Sequence, residues 1–214
     1  MKETNSSKIQ LKVEGKKSVF LQFYVRQTQN NMRKNVLIFG SLAGLIITAN
    51  MVYWSTVCTN NPEFESNDAL GYAGMIISFS FIFFGIKNYR DKQNDGVITF
   101  GQAFKMGFLM ALVASTMYVG VWLIHYHLFV PGFIDQYIHH VLYEAKLKGL
   151  AEGEIEQKAQ EMARFKEMYK NQLFVILVSY SEVLPLATII ALISALILKR
   201  KPGLDAAAEK NKAV

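Results

Sequence analysis

One carboxylate stands where carboxylates are costly. Glu182 lies inside Leu173 to Leu198, 26 residues of almost unbroken apolar character closed by Lys199-Arg200-Lys201, and three positions before Pro185. About 20 apolar residues span the hydrocarbon core of a bilayer, and an acid within such a span normally has partners inside a bundle. At about 1.5 Å of rise per residue, Glu182 falls roughly 13 Å below a boundary near Leu173. Asn50, Ser78 (or Ser80) and Tyr118, in three other apolar stretches, fall at similar depths. One buried polar layer drawn from four helices is therefore expected. A neutral carboxylic acid there can donate and accept a proton, the chemistry of a proton or cation site. The commoner use of such an acid is structural, as a hydrogen-bonding group that specifies the bundle. Pro185 suits both uses: it has no N–H for the Ser181 carbonyl, and the resulting helix kink leaves a backbone oxygen near the acid.

Histidines are the other candidates. His125 and His127 flank Tyr126, and His139 and His140 adjoin one another further on. Residues at i and i+2 point to different helix faces, and no His-x-x-x-His or Glu-x-x-His spacing occurs, so no metal centre is expected. His125 lies closest in depth to Glu182 and is the best candidate partner for it. No phosphate loop, nucleophile elbow or zincin motif is present, and Asp95-Gly96 reads as a turn. The single cysteine, Cys58, excludes an intrachain disulfide and a cysteine-based zinc site. No cofactor is implied. The net charge of +6 does not indicate nucleic acid, because the basic residues flank apolar spans rather than alternating with stacking aromatics.

The elements that must position these residues follow from hydropathy. Apolar residues make up 51% of the 214 and are gathered into four blocks, a membrane pattern within one domain. The spans run roughly from Val36 to Val57, Ala69 to Ile86, Phe100 to Leu128 and Leu173 to Leu198. The first reads as an uncleaved helix, since no small-x-small cleavage site follows it. Gly40 and Gly44 are spaced to let a neighbouring helix approach closely. Trp122, Tyr126 and Phe129 form an aromatic belt at the end of the third span. Lys105, one turn into that span, is expected to snorkel to the headgroups. Lys87, Arg90 and Lys92 form a cytoplasmic anchor for anionic lipid. Between the third and fourth spans, residues 131–171 carry six Lys/Arg against seven Asp/Glu. Phe133, Ile134, Tyr137, Ile138, Val141, Leu142 and Ala145 recur at helical spacing. So do Ile155, Ala159, Met162, Ala163, Phe165 and Met168, giving two amphipathic helices broken at Gly149 to Gly153 that lie on the membrane or over the bundle mouth.

Orientation follows from the loops. Residues 1–34 hold eight Lys/Arg and the tail after Leu198 five, whereas the connector from Thr59 to Asp68 holds three acids and no base. The positive-inside rule puts both termini and the 87–101 hairpin in the cytoplasm and residues 131–171 outside. The expected division is a cytoplasmic tail over 1–34, a four-helix transmembrane domain over 35–201 and a disordered cytoplasmic tail over 202–214. The basic head Met32-Arg33-Lys34-Asn35 also suggests Met32 as an alternative initiator.

Three stretches, 81–107, 154–174 and 181–201, together resemble a bacterial four-helix membrane family, found mostly in Bacteroidetes and catalogued as a domain of unknown function. The resemblance covers about Met32 to Lys201. It implies four transmembrane helices in the inner membrane and brings no activity, substrate or cofactor. The chain is thus expected to be an all-α integral membrane protein, not an enzyme. It is expected to act through membrane lipids, an envelope protein partner or a second copy of itself. The second reading is a small proton- or ion-coupled transporter component using Glu182. A membrane enzyme is the third, and it would need a polar cleft lined by His125 and His139.

Overall fold

The computed structural model describes residues 3–60 and 68–200, with side chains from residue 29 onward except Cys58 and Asp68. Residues 61–67 of the acidic connector, and residues 201–214 with the expected tail, fall outside the described residues. Six helices follow one another: α1 (Glu3–Asn60), α2 (Asp68–Gln93), α3 (Phe100–Leu128), α4 (Phe133–Leu147), α5 (Glu152–Tyr169) and α6 (Gln172–Leu198). Four segments are long and apolar enough to cross a membrane: Gln29–Val57, Ala69–Gln93, Phe100–Leu128 and Gln172–Leu198. Such a chain satisfies its backbone within each helix, which is what a bilayer demands of a spanning segment. The protein is a multi-pass all-α membrane protein. α1 begins at Glu3, so helix extends back through the polar stretch before the first span, where apolar periodicity is absent.

Small residues let the helices close on one another. A methyl group added at Gly40 would lie 3.0 Å from Val113 Cβ, and one at Gly44 would lie 2.8 Å from Met117 Sδ and 3.2 Å from Ala114 Cα. These two glycines seat α1 on α3, the most extensive helix pair of the bundle. Gly107 does the same for α3 and α6, where an added Cβ would stand 2.9 Å from that of Ala191. Phe79, Ile82, Ile86, Met106 and Met110 fill the space between the helices and are fully buried.

The α2–α3 end is tied by polar contacts that no local pattern signals. Asn35, 2% exposed, donates through Nδ2 to the Gly85 carbonyl at 2.6 Å and accepts from Asn88 Nδ2 at 2.9 Å. The α2–α3 turn passes through Asp95 and Gly96, both at positive φ (51° and 73°). It then pairs Ile98 with Arg200 through two backbone hydrogen bonds of 3.1 and 2.9 Å. Arg90 Nη1 donates to the Leu198 carbonyl at 3.3 Å. A guanidinium at a helix C-terminus answers both its free carbonyls and its dipole. Arg90 thus caps α6 as well as belonging to the basic cluster; Lys87, Lys92 and Lys105 remain exposed.

At the other end α4 and α5 form an antiparallel pair. Gly149, at φ 70°, lets the chain leave α4, and the Glu154 carboxylate accepts from the Ala151 N–H at the start of α5. Lys166 and Asp135 join the two helices.

Filling a glycine contact should cost stability by about 1–3 kcal/mol through overpacking. Gly44→Leu is accordingly expected to lower the thermal midpoint in detergent. Gly120→Ala, where nothing stands within 4 Å, should match or exceed wild type. Equal midpoints would refute the close α1–α3 approach.

Candidate functional site

Beneath α4 and α5 the bundle encloses an open cavity of about 630 Å³. Five of its walls come from α1, α3, α4, α5 and α6, and α2 contributes Gly71 and Met75. Glu182 lines this space from α6 and is exposed to it rather than buried as the sequence leads one to expect, whereas Val183 and Ala187 on the same helix are fully buried. The Tyr118 hydroxyl donates to Glu182 Oε2 over a long 3.4 Å, and among the described residues it is the acid's one hydrogen-bonding partner. Asn50 enters from α1. Its amide fits because Gly74 stands opposite: a Cβ on Gly74 would lie 2.6 Å from Asn50 Nδ2. Ser179 and Ser181 add polar groups from α6. Pro185 lies within α6, so the Ser181 carbonyl lacks its usual i+4 donor at the cavity edge.

Two members of the expected polar layer stand elsewhere. Ser78 is fully buried but turns back to donate to the Gly74 carbonyl at 2.7 Å, a bond that any helical serine can make within its own turn. His125 is buried, yet its partner is Ser55, with Nε2 2.9 Å from Oγ, and its ring stacks on Phe129 at 5.6 Å. His125 stands seven residues beyond Tyr118 on α3, about 10 Å along the axis, and outside the cavity lining. The Ser55 hydroxyl also donates to the Val52 carbonyl at 3.1 Å. With its one proton placed there, it accepts from the imidazole, and a ring nitrogen that donates cannot serve as a base for the serine. Neither His125 nor His139 lines the cavity. His140 Nε2 lies 3.2 Å from Glu144 Oε1 within α4.

The family described as "Protein of unknown function (DUF4199)" matches residues 38–200. The chain belongs to that family. No curated protein and no solved structure matches it. Every cavity residue of this DUF4199 protein falls inside the matched region.

The lid over the cavity is aromatic. Trp122 of α3 meets Phe133 edge-on with centroids 4.8 Å apart, and its Nε1 donates to the Tyr169 hydroxyl at 3.1 Å. Tyr126 packs edge-to-face on Tyr169 at 5.3 Å, and Phe165 on Phe174 at 5.8 Å. This network was only half legible. The belt residues and the apolar faces of α4 and α5 are visible in the chain, but which rings meet is a tertiary matter.

Tyr169 offers a handle on the lid. Burial pushes its hydroxyl up from 10.0 to about 12, although donation from Trp122 pulls the other way. Because the folded value is the higher one, the stabilisation from the neutral phenol is whole below pH 10 and is lost as pH rises through about 12. A tyrosinate absorbance titration of wild type minus Tyr169→Phe should place this residue's ionisation near the upper value. An ionisation at the ordinary tyrosine position would mean that the lid is undocked.

Proposed function

We propose that this protein is a small proton- or ion-coupled transport component, not an enzyme, of the bacterial inner membrane, with both termini and the α2–α3 turn in the cytoplasm. The observation that carries the reading is the meeting of Glu182, Tyr118 and Asn50, from three spans, in an open cavity of ligand size. Ligand pockets commonly occupy about 300–1,000 Å³, and an ionisable group at membrane depth facing such a space suggests a pathway more than a strut. A purely structural acid would favour closed packing with its hydrogen bonds met. Glu182 has one long bond and open space. The basic clusters beside the α2–α3 turn and after α6, against the acid-rich connector between α1 and α2, support the orientation.

A second reading, action through lipid or protein contacts, is favoured by the outer surface of the α4–α5 pair. Leu147 and Met168 stand 57% and 47% exposed there. The two readings are compatible if a second copy of the chain completes a transport path from too few helices.

The test is the protonation of Glu182 in reconstituted protein. The transport reading expects a carboxyl infrared band that responds to pH and vanishes in Glu182→Gln, while fold and abundance are retained. A band that does not respond to pH would make the acid a structural hydrogen-bonding group and remove the transport reading.

A further inference from the structure

Resting on that reading of the cavity, we propose that its ligand is an organic cation with a broad apolar or aromatic body, held by Glu182 beneath the aromatic lid. Three observations converge on this chemistry. The first is charge. Among the described residues lining the cavity, Glu182 is the one acid, and no Lys, Arg or His is among them. The groups that do face it are neutral: Asn50 and Ser55 from α1, Tyr118 from α3, Tyr137 from α4 and Tyr169 from α5, with Gly71 and Met75 from α2. An ionised carboxylate at membrane depth lacks a protein counter-charge here, so a ligand or a proton must provide one.

The second is the character of the remaining wall. Trp54, Trp122, Phe133, Tyr137, Phe165 and Tyr169 supply six aromatic rings around one carboxylate. Ring faces carry negative potential and attract a cation, the more so when it is desolvated. Their edges and planes offer the contact area that an apolar body needs. A small hydrated metal ion has no use for such a wall, because it demands several oxygen ligands at fixed distance. An anion would meet the carboxylate and the ring faces as repulsion.

The third is size. A cavity of about 630 Å³ is too large for a proton or a bare ion and suits a molecule of drug-like dimensions. Proton and cation would then compete for the same oxygen atoms, since the carboxyl group is either neutral or paired. That competition couples ligand release to proton uptake without any further residue.

The chain contains two tryptophans, and both line the cavity, so intrinsic fluorescence reports on occupancy. Purified full-length protein in detergent should be titrated with tetraphenylphosphonium and, separately, with tetraphenylborate, which has the same shape and the opposite charge. Saturable quenching is expected for the phosphonium only, weakening as pH falls. Glu182→Gln should weaken phosphonium binding by roughly tenfold or more, whereas Glu182→Asp should retain saturable binding. Glu156→Gln, an exposed acid on α5, should bind as wild type does. Size-exclusion profiles identify any variant that has not folded, and the Asp variant then carries the test. Equal saturable binding of borate and phosphonium would overturn the proposal, as would undiminished phosphonium binding by a folded Gln variant. If the carboxyl infrared band still titrates in that event, the proton-coupled reading survives and only the ligand class fails.

Discussion

A carboxyl group partway down a membrane-spanning helix must be answered by something from another helix, since the surrounding hydrocarbon offers it nothing. In this fold the answer is partial. Tyr118 reaches Glu182 from α3 across 3.4 Å, and the rest of the acid's surroundings is the cavity. Holding that space open puts a demand on the whole bundle, because lipid tails give helices no hydrophobic reason to stay together. The necessary cohesion is concentrated elsewhere. Gly40, Gly44, Gly85 and Gly107 let backbones approach, and Asn35, Asn88 and Arg90 tie α1, α2 and α6 near the α2–α3 turn. The bundle is knotted tightly at one end and held apart by large side chains at the other.

The division between what the sequence reveals and what it conceals follows from the same geometry. Four spans are legible because crossing a bilayer requires a run of a given length, and length is a one-dimensional property. α4 and α5 are legible because their apolar faces repeat at the helical period, and Phe133–Leu147 and Glu152–Tyr169 lie where that period puts them. Depth is nearly as easy, since rise per residue is constant. Counting down from the helix ends brings Asn50, Tyr118 and Glu182 to one level, and all three border the cavity.

Rotation about each helix axis is another matter. Ser78 turns to the Gly74 carbonyl and His125 to Ser55, because a rotation of one residue, about 100°, moves a side chain to another neighbour. Nothing in a uniformly apolar helix marks its inward face, and α6 has apolar residues on every side. Arg90 shows the same limit in another form. Its position beside Lys87 and Lys92 reads as an anchor, and its bond to the Leu198 carbonyl spans 108 residues of sequence. A contact that distant leaves no mark on local composition.

The lid completes the physical picture. Trp122 belongs to a membrane span, lines the cavity, and bonds to Tyr169 of α5, so one ring is at once wall and hinge-post for the cap. Phe133, Phe165 and Tyr169 have the same double position. A ligand filling the cavity would lie against the same rings that seat the α4–α5 pair on the bundle. Within that cluster the Trp122–Tyr169 hydrogen bond is the directional contact, fixing where the cap sits, while the ring packings around it supply area without direction.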